Sequence, residues 1–287
     1  MTNPELIADY RCLCGENPLW HPHERRVYWL DIFSPRMFRY DPVGDRHEQF
    51  YAGRTVGGFT FQRDGKQLLF MDRGAIAVLE GREARIVFDD IAQERESRFN
   101  DVFADPVGRV YCGTMPTGSR PGRLYRLDTD GSLTVVIDRL MLPNGMGLAP
   151  DGHRFYVTDS LAREILQFDY DPATGRLCNR QVFCRGAEAD GLPDGLAVDT
   201  DGCVWSARWD GGCLLRYAPD GSELLRIGFP ARKVSSLAFG GDDAADIYVT
   251  TAGGDAKPSE GDGAGALFRL RVPGVRGLPR NFSDIRV

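Results

Sequence analysis

VYWLD at 27–31, LLFMD at 68–72, VYCGT at 110–114, FYVTD at 155–159, VWSAR at 204–208 and IYVTT at 247–251 are six versions of one apolar strand. Their second residues, Tyr28, Leu69, Tyr111, Tyr156, Trp205 and Tyr248, lie 41, 42, 45, 49 and 43 residues apart, which is the period of a propeller blade. The surroundings of each copy repeat too. A small-residue apolar strand precedes it (NDVFADPVGR, NGMGLAPDGHR and DGLAVDTDGC are three examples), and an alternating strand follows, as in MFRYDP, RLYRLDTDG and CLLRYAPDG. A further strand comes next in most units, and Asp-Gly pairs at 64–65, 130–131, 151–152, 201–202 and 220–221 supply the backbone angles that tight hairpins need. Helix-period patterns are nearly absent, while 34 Gly and 17 Pro fit a turn-rich chain. The expectation is an all-β, six-bladed β-propeller with four antiparallel strands per blade, one domain over residues 1–287. The Gly/Asp-rich stretch 251–266 is expected to be a mobile loop.

Composition narrows the function. Lys plus Arg number 35 against 41 Asp plus Glu, a net charge of −6 that disfavours nucleic acid and anionic membrane as partners. No run approaches the roughly 18 apolar residues of a spanning helix, and the first residues lack a basic segment followed by an apolar one, so a soluble, cytoplasmic protein is expected, a monomer by default. Seven scattered cysteines read as reduced and mostly buried, not as a disulfide framework. Cys12 and Cys14 have no second Cys or His cluster to complete a zinc site. DTDG at 128–131 and 199–202 lacks the downstream glutamate of a calcium loop. The four histidines, His21, His23, His47 and His153, include a hairpin pair and a turn residue, which disfavours a His-based triad, and neither a GxSxG elbow nor a P-loop is present.

Counting back 11 or 12 residues from each strand mark gives Glu16, Gly57, Asn100, Asn144, Asp194 and Ser236. In a propeller, equivalent positions of the innermost strands converge at the channel mouth. Glu16, Asn144 and Asp194 would bring two carboxylates and an amide carbonyl, hard donors for a divalent ion such as Ca²⁺, Mg²⁺ or Mn²⁺. Asn100 suits the metal, its water or a substrate. Each taken alone reads as a turn or loop residue; the shared register is what singles them out. Asp31 and Asp159, at strand ends, read as hydrogen-bonding turn groups.

The segments CGENPLW, SRFNDVFADPVGRVYCGTM, LPNGMGLAPDGHRFYVTDS and LPDGLAVDTDGCVWSARWDGG, in that order between about Cys12 and Ala252, resemble the senescence marker protein 30, gluconolactonase and luciferin-regenerating enzyme family, also called the regucalcin family. The resemblance implies a six-bladed propeller, one divalent metal on Glu16, Asn144 and Asp194, and a sugar lactone bound by Arg98 and Asn100. Two carboxylates and an amide suit several hard ions, with Ca²⁺ expected first and Mg²⁺, Mn²⁺, Zn²⁺ and Fe²⁺ as alternatives. Residues 116–123, PTGSRPGR, depart from the longer acidic loop of the animal members, and Arg120 there is expected to shift substrate preference. Lactone hydrolysis would use a metal-polarised carbonyl or water, with Asp194 as general base and then acid. A phosphotriester or other ester hydrolase on the same metal, and a non-catalytic calcium-binding propeller, are the alternatives.

Overall fold

In the computed structural model, which describes residues 3–89 and 91–287, the strands form six four-stranded sheets. Every pairing within them is between antiparallel neighbours. The innermost strands are Gly15–His21, Val56–Phe61, Phe99–Ala104, Pro143–Leu148, Leu192–Val198 and Val234–Gly240. Each next strand carries one copy of the repeat, and the six-bladed propeller read from the sequence is the fold observed.

The repeat is apolar at successive positions because its strand is buried on both sides. Val27 and Trp29 enter a core between the sixth and first blades, whereas Tyr28 and Leu30 enter the core between the first and second. This is the period-2 alternation of a strand sandwiched between two sheets. Six such interfaces, not one central core, carry the apolar burial.

The sixth blade is completed from the other end of the chain. Its outermost strand is Glu5–Asp9, antiparallel to Ala266–Arg271, with Glu5 opposite Arg269 and Leu6 opposite Phe268. The stretch 251–266 differs from its expectation as a mobile loop. It contains the short helix Lys257–Glu260, and Gly253 and Gly254 donate their backbone N–H groups to Leu13 and Cys12. Lys257 reaches Asp9 and Lys233 pairs with Glu260. Glycine here permits close packing: an added Cβ at Gly265 would lie 2.6 Å from the Cys12 backbone.

Glycine has the same role where innermost strands meet. A Cβ at Gly57 would stand 1.9 Å from the Phe99 carbonyl oxygen, and one at Gly145 2.1 Å from the Leu196 nitrogen. The close approach draws the strand starts together around the channel. At the opposite face the C-terminal tail crosses the channel, tied by Gly277 N to Ala244 O, Asn281 Nδ2 to Ala104 O, Ser283 N to Phe61 O and Asp284 N to Gly108 O.

Two outcomes follow. Ala8→Pro, which removes a donor from the closing strand, should cost about 1–3 kcal/mol in denaturant unfolding. Gly57→Ala should cost a similar ~1–3 kcal/mol by overpacking, whereas Gly118→Ala, whose Cβ meets nothing within 4 Å, should leave the midpoint unchanged.

Candidate active site

Each innermost strand carries a register shift near its start, for example between Phe99 and Val102, Pro143 and Met146, and Pro193 and Leu196. Such a bulge sets two residues against one on the partner and re-aims their side chains. The ladder also corrects the equivalence obtained by counting. Leu19, Phe59, Phe103, Gly147, Ala197 and Ala238 oppose the six strand marks. Three residues before each stand Glu16, Val56, Asn100, Asn144, Asp194 and Ser235. The second and sixth blades therefore present Val56 and Ser235 at this level, one residue earlier than Gly57 and Ser236. The four polar positions of the other blades are unchanged.

Glu16, Asn100, Asn144 and Asp194 are all buried, each at 4–6% exposure. Asn144 donates Nδ2–H to Ser160 Oγ at 3.1 Å, and its buried Oδ1 has no hydrogen-bond partner among the described residues. Asp194 Oδ1 is likewise buried and unpartnered. Among the described residues Glu16 accepts a single bond, 3.2 Å from the Asn17 backbone N–H. Asn100 is differently placed. Its Oδ1 accepts from Arg98 Nη1 at 2.7 Å and its Nδ2 donates to the Pro143 carbonyl at 3.1 Å, so both ends of the amide are engaged. Arg98 also bonds the Phe99 carbonyl and lies 5.8 Å from the ring centre of Phe33. Phe33 is 59% exposed and gives the mouth an apolar face.

Asp101, which the repeat count passed over, is the other half of the Asn100 bulge and is also buried. Two polar residues in succession ahead of an apolar strand, in NDVF, were the signal for it. Burial pushes its carboxyl up to about 7 against the opposing pull of Arg98. Burial, then repulsion from Asp194 and Asp101, holds Glu16 well above the carboxylate range. Asp194 is raised by burial and by Asp101, with the Asn144 side chain and Arg98 opposing. Burial lowers Arg98, although Cys14, Glu16, Asp101 and Asp194 all pull the other way. Burial likewise keeps the Cys14 thiol well above its usual value. Three crowded acids thus face one guanidinium, a field that favours protons or a cation.

Among the described residues no three His, Cys, Asp or Glu side chains form a metal group. Two carboxylates and an amide are a different set, and partnerless oxygens on Asn144 and Asp194 are what a hard cation requires. The donor set fits such an ion.

Arg120 is a correction. Its guanidinium pairs with the buried Glu94 and bonds the Gln93 carbonyl, and Glu94 also takes the Tyr125 hydroxyl at 2.7 Å. It anchors residues 116–123 to the 92–94 turn and is not free for substrate. Asp31 and Asp159 behave as turn groups: Asp31 accepts from the backbones of Leu13 and Cys14, and Asp159 from Met141 and Leu142. His21 stands at the far hairpin beside Phe61. Among the described residues no helix is long and apolar enough to cross a membrane.

A model of the SMP-30/gluconolactonase/LRE-like region matches residues 14–253. The chain is 48% identical to pentonolactonase XacC of Haloferax volcanii over 98% of both chains. It is 32% identical to regucalcin of Danio rerio over 96% of both. Among solved structures, a luciferin-regenerating enzyme superposes with a TM-score of 0.89 at 24% identity over the full length of both chains, a likeness of fold.

The raised Asp101 has a pH consequence. An acid whose folded-state pKa lies above its unfolded value favours the fold at low pH, and that contribution is lost as pH rises from near 4 to about 7. In chelated protein, Asp101→Asn should raise the melting temperature at pH 8 and have little effect near pH 4.

Proposed function

The chain belongs to the SMP-30/gluconolactonase/LRE-like family, and on that premise we propose that it hydrolyses a sugar lactone to the aldonate, using a divalent cation held by Glu16, Asn144 and Asp194. The observation that carries this reading is the pair of buried, partnerless oxygens, Asn144 Oδ1 and Asp194 Oδ1, in the channel with Glu16. The 48% identical pentonolactonase makes a five-carbon aldonolactone the first substrate to test. The regucalcin relatives and the oxygen-only donor set favour Ca²⁺. A hard divalent ion supplies Lewis acidity toward a carbonyl oxygen and lowers the pKa of a water.

The remaining work falls to the protein's own groups. Asp194 accepts the proton of the attacking water as its oxygen bonds to the lactone carbonyl carbon. It returns that proton to the ring oxygen as the ester C–O bond breaks. Asn144 is fixed by Ser160, so its oxygen has one orientation. Asn100 and the Phe99 carbonyl hold the Arg98 guanidinium, whose remaining donors face the lactone oxygens. Phe33 meets the apolar face of the sugar ring. We take residues 1–287 as one domain, a reading supported by the pairing of Glu5–Asp9 with Ala266–Arg271 near the other end of the chain.

A pH-indicator assay over five- and six-membered aldonolactones, with a phosphotriester alongside, tests the assignment. Chelation should abolish turnover and added Ca²⁺ restore it. Asp194→Ala should lower kcat by at least about 10²–10⁴, the loss expected of a general base alone. Glu16→Gln should raise the metal concentration needed for half-activity. Unchanged lactone turnover in both variants would refute the site. Calcium binding by a parent that turns over no lactone or ester would favour a non-catalytic propeller.

A further inference from the structure

Beneath the candidate active site the channel opens into a cavity of about 560 Å³. Its walls are the far halves of the innermost strands, with Leu19, Val102, Met146, Leu196 and Phe239 among the lining residues, and Leu278, Pro279 and Arg280 of the tail line it as well. Asn17 and Asp101, at the near end, separate it from the cluster above.

Arg280 is the anomaly in this lining. Among the described residues no hydrogen bond or ion pair engages its guanidinium, and burial alone lowers it, to about 10, with no carboxylate pulling the other way. The acids of the same lining are committed elsewhere: Asp242 is held by Arg25, and Asp101 interacts with Arg98. The tail itself is tied down on both sides of Arg280. Gly277 and Asn281, on either side, are hydrogen-bonded to Ala244 and Ala104. Arg280 is part-buried, and its guanidinium nitrogens remain open to the cavity with no counter-charge beside them among the described residues. A carboxylate can accept two parallel N–H bonds from its planar fork. The surrounding wall offers mainly hydrocarbon to the rest of a ligand.

We propose that this cavity binds a small organic carboxylate with an apolar body, its carboxylate on the Arg280 guanidinium, at a site distinct from the lactone site above. The proposal is independent of the catalytic reading, because its test measures binding and not turnover. Calorimetric titration of the full chain with benzoate, and with uncharged benzyl alcohol of similar shape, is the experiment. Benzoate should bind the parent, and Arg280→Gln should weaken it by about tenfold or more, the loss expected for a charged hydrogen-bonded pair. Benzyl alcohol should bind no better to the parent than to Arg280→Gln. Arg98→Ala should retain benzoate binding, since that guanidinium belongs to the upper site. Arg280→Gln should also unfold at a temperature no lower than the ligand-free parent, because it removes an unpaired charge. Equal benzoate affinity in parent and Arg280→Gln, no binding by the parent, loss of binding in Arg98→Ala alone, or a clear destabilisation by Arg280→Gln would each overturn the proposal. Arg280→Lys, which keeps the charge but loses the fork, should bind benzoate with intermediate affinity; affinity equal to the parent would overturn the bidentate contact.

Discussion

Closure of the ring by antiparallel pairing of Glu5–Asp9 with Ala266–Arg271 is the interaction on which the rest of this structure depends. A blade taken singly is a twisted four-stranded sheet with two apolar faces, and each face is buried only by the next blade. The first and sixth blades can bury theirs only against each other, in the core that joins Trp29 and Phe38 to Tyr248 and Leu267. The loop-closure entropy for that contact spans nearly the whole chain, but it grows only slowly with length. The 251–266 segment reinforces the junction, bonding to Cys12, Leu13 and Asp9 at the same seam.

Once the ring is closed, the innermost strands must approach one another. Glycines at 57 and 145 let backbone meet backbone there, and the bulges turn consecutive side chains toward the channel. The consequence is electrostatic. Glu16, Asp101 and Asp194 come from three different blades and are far apart in sequence, yet each raises or responds to the others. Arg98 offsets part of that charge but is itself held by Asn100 and the Phe99 carbonyl. Such crowding favours protonation or a nearby cation over three free carboxylates. At the other end of the channel the cavity is lined by Arg280, which has no charged partner among the described residues.

Much of this was legible in the residues. Apolar runs such as VYWLD report burial on two faces, and Asp-Gly turns report hairpins, because both are local properties of strands. Equivalent positions in a repeat converge, so counting singles out Glu16, Asn100, Asn144 and Asp194 as candidates. The count slipped by one residue in the second and sixth blades, since register depends on the length of each hairpin and the place of each bulge. It also passed over Asp101, whose importance comes from lying second in a bulge. Glycine and aspartate in 251–266 suggested mobility, but the same small residues permit the close packing observed there.

The chain by itself determined the number of blades, the alternation that buries them and the identity of the polar residues at four of the blade entrances, because these follow from periodicity and local turn chemistry. Tertiary structure alone decided which polar groups are already satisfied. Arg98 and Arg120 are both arginines beside glycine- or serine-containing loops, yet Glu94 takes Arg120 while Arg98 stands among the channel acids. Asn100 and Asn144 are both strand-entry amides, yet only Asn144 keeps a free oxygen. Hydrogen-bond saturation depends on which neighbour the fold brings to each group, Arg98 and the Pro143 carbonyl for Asn100 and Glu94 for Arg120, and spacing along the chain does not show it.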